Sequence, residues 1–325
     1  MPIKTKGSET GMSEFRELYV RLKEAGHASD FPVILGNTLH RVLLDAYKGV
    51  TSSWPTWCKI EKSIKDFKEN TRFRITEVED LQPVPWGQPA RETSFDETSP
   101  VKYIVMNWER AFGIPWQLLR NDDVGAIKQI PQALGRAAGR TVAKFAASLL
   151  ASRTPSTTVT SALSETSLAA AIAEFKKRTD PKSGSPLGVV PKYLVVPPDL
   201  EVTAKRILNS QVLIAIGMDN TAKVQGDYNV MNARETGLTL VVEPFLPDSN
   251  DWYLVADPND TPGIELGFLD GKTEPQVLTK RSNIQEFDSV FERGSFETGS
   301  IDYKVVYDFG GALIDPNAIL KVSVS

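Results

Sequence analysis

Residues 67–112 contain two stretches in which hydrophobic and polar positions alternate, separated by a polar segment with several prolines. The alternating positions of one face are Thr71, Phe73 and Ile75 in the first stretch and Val101, Tyr103 and Val105 in the second. A period of two predicts β-strands over 67–78 and 101–112. Because prolines exclude regular structure between them, the pattern predicts a two-stranded ribbon with an irregular tip.

The predicted ribbon is long. Each arm has 12 residues and would extend about 40 Å at roughly 3.3 Å per residue, whereas an ordinary strand has about five or six residues. A two-stranded ribbon is not stable alone in water. We therefore expect it to lie on another surface, and a second subunit could supply that surface.

Two helical patterns flank the ribbon. Asn37 is a residue type that caps helices, and apolar spacing predicts a helix from there to Gly49. After the ribbon comes a long Ala-rich pattern, in which Pro131 predicts the start of a second helix after a short one. Its predicted apolar face consists of Ile127, Ile130, Leu134, Ala138, Thr141, Phe145 and Leu149, and its polar face of Arg136, Arg140 and Lys144.

A Ser/Thr-rich link at 154–166 marks a predicted domain boundary, and an α/β pattern follows it. Helices are predicted at 168–178 and 198–209, on either side of a short apolar strand at 191–196. Further strands are predicted at 238–243, 252–255, 264–268, 300–307 and 318–322, with a Gly-Gly-Ala break at 310–312.

The composition is that of an ordinary soluble globular protein, with 41% hydrophobic and 24% charged residues. A formal net charge of −4 excludes a strongly basic nucleic-acid binder, although local patches can still meet DNA. The single cysteine, Cys58, excludes internal disulfides and cysteine metal clusters, which suits a reducing cytoplasm. Since the chain shows no membrane-length apolar run and no signal-peptide core, we expect synthesis in the cytosol.

The sequence offers little that could carry catalysis. Its two histidines, His27 and His40, are predicted on a polar arm and on a helix surface, and there is no Gly-x-Ser-x-Gly elbow. The Gly-Lys-Thr tripeptide at 271–273 lacks the spacing of a phosphate-binding loop, and 257–260 lacks the glutamate of a calcium loop. We predict turns at both places, no catalytic, cofactor or metal site, and a protein that is not an enzyme.

Four stretches give the chain a family resemblance: 30–47 (DFPVILGNTLHRVLLDAY), 120–150 (RNDDVGAIKQIPQALGRAAGRTVAKFAASLL), 193–208 (YLVVPPDLEVTAKRIL) and 300–316 (SIDYKVVYDFGGALIDP). Together with the order of the segments, they resemble the major capsid proteins of tailed bacteriophages of the Hong Kong 97 type. Within that group, the chain is most similar to the Mu-like major head subunit family. The resemblance covers nearly the whole chain.

The resemblance implies an α+β fold of the Hong Kong 97 type, in which an extended loop reaches across an adjacent subunit. The implied segments are an N-terminal arm at 1–35, a peripheral-domain helix and connection at 36–66, the extended loop at 67–116, the spine-helix region of the peripheral domain at 117–155, an α/β axial domain at 156–285 and C-terminal peripheral-domain strands at 286–325.

The function implied by the resemblance is that of a non-catalytic major capsid protein. Such a protein assembles with itself, as pentamers and hexamers, into an icosahedral shell around the double-stranded DNA of a tailed phage. The expected partners are portal, scaffold and decoration proteins, with DNA on the inner face without sequence specificity and no membrane. The expected location is the virion capsid, after synthesis and assembly in the cytoplasm of a bacterial host.

Five side chains are candidates for contacts between subunits. Trp86 and Phe95 at the ribbon tip are aromatic, and aromatic residues are enriched in interface cores. Arg72, Arg74 and Arg91 could pair with acidic patches on a neighbour. Two other functions stay open: an encapsulin-like compartment of the same fold, which would hold protein cargo, and a hydrolase that uses converging acidic residues of the axial-domain strands.

Overall fold

The computed structural model describes residues 31–50, 52–73, 83–84, 86–87, 100–115, 124–180, 184–210, 212–214, 226–228, 231–280 and 300–324. The helices in these ranges are α1 (Phe31–Lys48), α2 (Trp54–Trp57), α3 (Val124–Ala151), α4 (Glu165–Lys176), α5 (Glu201–Asn209) and α6 (Ala233–Thr236). Short 3₁₀ helices lie at Pro198–Leu200 and Pro316–Ala318.

The strands in the same ranges are β1 (Lys59–Ile64), β2 (Asn70–Arg72), β3 (Val101–Tyr103), β4 (Met106–Pro115), β5 (Pro191–Val196), β6 (Val212–Ile214), β7 (Gly226–Tyr228), β8 (Thr239–Val242), β9 (Trp252–Ala256), β10 (Ile264–Leu269), β11 (Gln276–Thr279), β12 (Ser300–Leu313) and β13 (Ile319–Val322). The fold is therefore of the predicted mixed α+β class. The chain divides into two compact units. The first comprises Met1–Val50, Trp108–Ala138 and Glu274–Tyr307, and the second comprises Thr51–Asn107, Gly139–Thr273 and Asp308–Ser325.

A four-stranded sheet in the second unit has the strand order β13-β9-β5-β8. β5 is parallel to β8 and antiparallel to β9, which is also antiparallel to β13. All five residues of β9 are buried, and a strand covered on both faces reads as a continuous apolar run. Phe175 of α4 and Leu208 of α5 belong to the core that covers this sheet. The strands predicted at 191–196 and 252–255 are confirmed.

Helix α4 begins at Glu165 and ends at Lys176, whereas the sequence pattern predicted 168–178. The Ser164 hydroxyl accepts a hydrogen bond from the backbone N–H of Ser167 at 3.2 Å, and the Ser167 hydroxyl accepts one from the backbone N–H of Ser164 at 2.8 Å. This reciprocal capping box satisfies two backbone donors at the helix start. The cap therefore moves the start of the helix upstream of its apolar pattern.

The second unit also contains β1, which lies parallel to β10. The sequence of β1, KIEKSI, has no clear apolar alternation, and this segment was predicted to be a connection. In the structure, only Ile64 of its six residues is buried. β10 in turn pairs antiparallel with the end of β12, with Ile264 opposite Leu313 and Phe268 opposite Phe309.

Strand β12 runs without interruption from Ser300 to Leu313, so the predicted Gly-Gly-Ala break at 310–312 is wrong. The two glycines serve close packing. A Cβ atom at Gly310 would lie 2.2 Å from the carbonyl oxygen of Ile104, and one at Gly311 would lie 2.4 Å from the carbonyl oxygen of Glu265. Glycine is common in strands where another backbone approaches closely.

Helix α1 in the first unit begins at Phe31, so the prediction that Asn37 caps it is wrong. The helix continues upstream because Pro32 is compatible with a first helical turn. Its predicted end is confirmed, since Gly49 follows the last helical residue and its N–H donates to the Asp45 carbonyl at 3.0 Å. In the same unit, β11 pairs antiparallel with β12.

Helix α3 is one helix of 28 residues with Pro131 inside it. The predicted start of a second helix at Pro131 is therefore wrong. Proline removes one backbone hydrogen bond from a helix, yet the helix continues through Pro131, which is buried.

The buried face of α3 consists mainly of small residues, and the predicted apolar face is only partly buried. The buried positions include Gly135, Gly139, Val142, Ala143, Ala146, Ala147 and Leu150. A Cβ atom at Gly135 would lie 2.3 Å from the Leu43 carbonyl oxygen of α1, so this approach excludes any larger residue. The exposed positions of Arg136, Arg140 and Lys144 are confirmed.

The ribbon differs from its prediction. β2 and β3 pair antiparallel over three residue pairs, from Asn70 opposite Tyr103 to Arg72 opposite Val101. The second arm is not one strand: it is interrupted after Tyr103, and its continuation β4 pairs with β12 of the same chain. We call residues 70–73 and 100–106 the ribbon base.

The ribbon base packs on its own subunit. Tyr103 and Val105 are buried and form a small core cluster with Ile64 of β1. The expected support from a second subunit is therefore not found at the base, where the chain itself supplies the surface. For the tip, most of which lies outside the described residues, it stays a prediction.

Candidate functional site

Two of the five predicted interface residues, Arg72 and Trp86, lie in the described part of the chain; Arg74, Arg91 and Phe95 lie outside it. The Trp86 side chain is fully exposed. Arg72 contacts acidic side chains of its own chain, as described next. The roles of these residues at an interface stay predictions.

Both strands of the ribbon base contact one buried carboxylate. Glu265 of β10 is 2% exposed. Its Oε1 accepts hydrogen bonds from Arg72 Nε at 2.7 Å and from the Tyr103 hydroxyl at 2.6 Å. Its Oε2 lies 3.9 Å from Lys59 Nζ, while Arg72 also pairs with Glu61 at 3.3 Å. We call the face of the ribbon base that points at Glu265 the inner face.

The electrostatics of this cluster favour a charged arginine and a protonated phenol. Burial lowers the pKa of Arg72, but the hydrogen bond and charge of Glu265 raise it by more, so the net shift is upward. Burial, followed by the hydrogen bond to Glu265, raises the pKa of the Tyr103 phenol. A buried carboxylate is tolerated when it is both paired and hydrogen-bonded. Arg72 and Tyr103 meet both conditions.

The opposite face of the ribbon base is apolar and exposed. Ile104 and Met106 are 50% and 47% exposed, whereas the alternate residues at 103 and 105 are buried. Phe73, which follows β2 in the first strand of the ribbon base, is 56% exposed. It follows Arg72 directly, and successive side chains of an extended segment point to opposite faces. We call Phe73, Ile104 and Met106 the outer face.

Charged residues border the outer face. Lys102 Nζ pairs with Glu69 at 2.8 Å, and both side chains are about half exposed. An apolar centre with a polar rim is the usual anatomy of a protein interface. The two faces of the ribbon base thus differ: the inner face contacts its own subunit, and the outer face is exposed and apolar.

Glu265 was not among the predicted site residues, although the sequence of β10 contains a signal for it. β10 reads IELGFL, and its first five residues are buried. A single carboxylate inside an otherwise apolar, buried strand indicates a cation or hydrogen-bond donor nearby, because an unpaired buried charge is costly. The identity of the donors was not predictable, since Arg72 and Tyr103 lie more than 150 positions away along the chain.

The residues that could have carried other chemistry have structural roles. Cys58 is buried, and burial, followed by the charge of Glu243, raises its pKa well above the usual range. A thiol is reactive as the thiolate, so the burial and raised pKa of Cys58 disfavour a role as a nucleophile. The tripeptide at 271–273 begins in the predicted turn between β10 and β11, where Lys272 N–H donates to the Leu269 carbonyl at 3.0 Å.

Residues 257–260 form the predicted polar turn. Asp257 Oδ1 accepts a hydrogen bond from the Asn259 N–H at 3.1 Å, and Asp257 pairs with Lys192. The hydrogen bond from Lys192, and then that from Asn259, lowers the pKa of Asp257. A general acid at neutral pH requires the opposite shift, so this turn does not favour a hydrolase. The described residues contain no group of three or more metal-ligating side chains, and no described helix could span a membrane.

Comparisons with known proteins connect this fold to phage shells. Residues 98–322 match the sequence model of a family described as phage capsid protein. We find no match among curated proteins.

Solved structures show the same fold. A protein of Gordonia phage Cozz is 13% identical, with a TM-score of 0.52, and the match covers 84% of this chain and 87% of that one. The capsid of cyanophage P-SCSP1u is 11% identical, with a TM-score of 0.50 and coverage of 85% of this chain and 88% of that one. The holo-SrpI encapsulin complex of Synechococcus elongatus PCC 7942 is 10% identical, with the same TM-score and coverage. At these identities, the likeness establishes a Hong Kong 97-type fold and leaves function to other observations.

Proposed function

The chain belongs to the phage capsid protein family, and we propose that it is the major capsid protein of a tailed phage, whose copies assemble into an icosahedral shell around double-stranded DNA. Its role in the shell is structural. Portal, scaffold and decoration proteins are the further partners that such a shell requires, and the virion capsid is its location after assembly in the bacterial cytoplasm. No membrane partner is needed.

The observation that carries the proposal is the outer face of the ribbon base. It presents three large apolar side chains, Phe73, Ile104 and Met106, each about half exposed, on a segment whose other face is fixed to its own subunit. Exposed apolar surface with a polar rim marks an interaction site. Since the family forms shells from copies of one protein, the occupant of this face is a second copy of the chain.

A small contact of this kind is sufficient in a closed shell. Closed symmetry repeats each contact on every subunit, so the affinity of one outer face for its neighbour can be modest. The fully exposed Trp86 at the ribbon tip adds a second aromatic contact under the same proposal.

The proposal is tested by placing charge on the outer face. The double variant Ile104→Glu/Met106→Glu is expected to remain folded, because both side chains are exposed, but to lose shell formation in electron micrographs and sedimentation. Val202→Glu on α5, another exposed apolar position, is the matched control and should still form shells. Normal shells from the double variant would remove the outer face from the interface. A wild-type chain that stays monomeric under all assembly conditions would overturn the proposed function.

The alternative is a protein compartment of the encapsulin kind, which the likeness to the SrpI encapsulin complex favours. The two functions differ in what the shell encloses. Particles purified from the native source should contain nuclease-protected double-stranded DNA if the chain is a capsid protein. A co-purified protein cargo in place of DNA would identify a compartment.

A further inference from the structure

Glu265 holds both strands of the ribbon through one oxygen atom. Arg72 comes from the first strand and Tyr103 from the second, and both donate to Oε1, at 2.7 Å and 2.6 Å. Because only three residue pairs form the β2–β3 ladder, the ladder is too short to fix the ribbon by itself. The contacts to Glu265 therefore add a second attachment, one that joins both strands of the ribbon base to β10.

We propose that Glu265, Arg72 and Tyr103 form a clamp that fixes the direction of the ribbon on its own subunit, and that shell assembly requires this clamp. The inference rests on the proposed function, because the clamp holds the ribbon base whose outer face is the proposed contact between copies of the chain. In the clamp, Arg72 is a positioning residue: it holds the ribbon base by binding Glu265. It does not serve as a partner of acidic groups on a neighbour.

The residues around Glu265 are adapted to this contact. Gly267 lies two positions further along β10 and so on the same side of the strand as Glu265. A Cβ atom at Gly267 would lie 2.9 Å from the Tyr103 hydroxyl oxygen and 2.2 Å from Ile64 Cδ1. The missing side chain at Gly267 thus leaves the space in which the Tyr103 ring reaches across β10. The packing of Tyr103 against Gly267 is independent of the Arg72–Glu265 ion pair, and both contacts place the ribbon base against β10.

The charge balance of the clamp also favours a single arrangement. Glu265 is almost fully buried, and a buried carboxylate without donors would be strongly unfavourable. Its second oxygen faces Lys59 of β1 at 3.9 Å, and Arg72 is held from the other side by Glu61, also of β1. Moving the ribbon base away from β10 would separate Arg72 from Glu265 and leave the buried carboxylate without this partner. The clamp therefore orients the outer face toward a neighbour before assembly begins.

The test compares Glu265→Gln with wild type in the full-length chain. Glu265→Gln keeps the size of the side chain and removes its charge. In unassembled subunits, amide hydrogen exchange at 70–73 and 101–106 should become about tenfold faster, because the hydrogen bonds from Arg72 and Tyr103 lose their charged acceptor and weaken. Shell yield should fall in the same variant. Glu201→Gln, which removes an exposed pairing with Lys205 on α5, is the control and should change neither reading.

Tyr103→Phe and Arg72→Lys keep the test decisive if Glu265→Gln fails to fold. Tyr103→Phe removes one donor, and Arg72→Lys keeps the charge but replaces the guanidinium; each should accelerate exchange at the ribbon base and lower shell yield. Unchanged exchange in the folded variants would overturn the clamp, and so would faster exchange with normal shells. If wild type forms no shells at all, the proposed function fails, while the exchange measurement still decides whether the clamp exists.

Discussion

Gly310 illustrates how a single residue fixes the path of the chain in this protein. The residue lies within β12, and the space that its side chain would occupy is filled by the backbone at Ile104, directly after the end of β3. The sequence pattern suggested a break at this position, because glycine weakens strands. The reason for the glycine was a contact with a segment more than 200 positions away, which no local pattern reveals.

Replacing Gly310 by alanine should therefore destabilise the subunit. The added Cβ atom would overlap the Ile104 carbonyl, and overpacking of this kind costs about 1–3 kcal/mol. Chemical denaturation should show a lower free energy of unfolding. Gly49→Ala is the control, since a Cβ atom there meets nothing nearer than 3.4 Å. Equal stability of the two variants would contradict the close approach.

Glu243 is a second residue whose surroundings predict a measurable property. It is fully buried, and its carboxylate accepts hydrogen bonds from the Ser53 hydroxyl and from the Phe245 N–H. Burial raises the pKa of Glu243 above its ordinary value of 4.5, against the lowering effect of these two hydrogen bonds. The folded protein therefore holds the proton on Glu243 more tightly than the unfolded chain does.

This shift gives the stability of the protein a definite dependence on pH. The stabilising contribution of Glu243 is fully present below pH 4.5 and is lost as the pH rises through the raised pKa. Relative to Glu243→Gln, wild type should thus become less stable between acidic and neutral pH in urea unfolding series. Glu201→Gln, at an exposed site, should run parallel to wild type. A constant difference between wild type and Glu243→Gln would contradict a raised pKa.

At the scale of elements, the strongly patterned segments were predictable and the weakly patterned ones were not. β5 is confirmed at its predicted limits and β9 nearly so, because both are runs of apolar residues between polar turns. β1 has no such pattern: its neighbour β10 supplies the backbone hydrogen bonds, and only one of its six side chains is buried. The proline in α3 misled prediction for a related reason: tertiary packing overrides a local preference.

The ribbon is the element on which the proposed assembly depends. Deleting residues 80–99 removes the tip but leaves the clamp residues Arg72, Tyr103 and Glu265 in place. We expect a folded subunit, with a circular dichroism spectrum and thermal unfolding close to those of wild type, that forms no shells or deformed ones in electron micrographs. Normal particles would show that the tip is dispensable.

At the scale of the whole molecule, the order of the segments carried more information than any one of them. Four stretches with ordinary helical and strand patterns indicated the phage capsid fold because they occur in one sequence, and the match over residues 98–322 confirms the family. The candidate site was only partly predictable. Arg72 was identified as an interface residue from its position in the ribbon, but its link to Glu265 depends on the folded arrangement of distant strands.

The buried position of the chain's single cysteine has a practical consequence for labelling. Cys58 is shielded from solvent, whereas the indole at position 86 is wholly accessible. A Trp86→Cys chain would therefore carry one thiol that reacts readily with maleimides. Fluorophores or bifunctional linkers could then be attached at the ribbon tip alone, without first removing a competing native thiol.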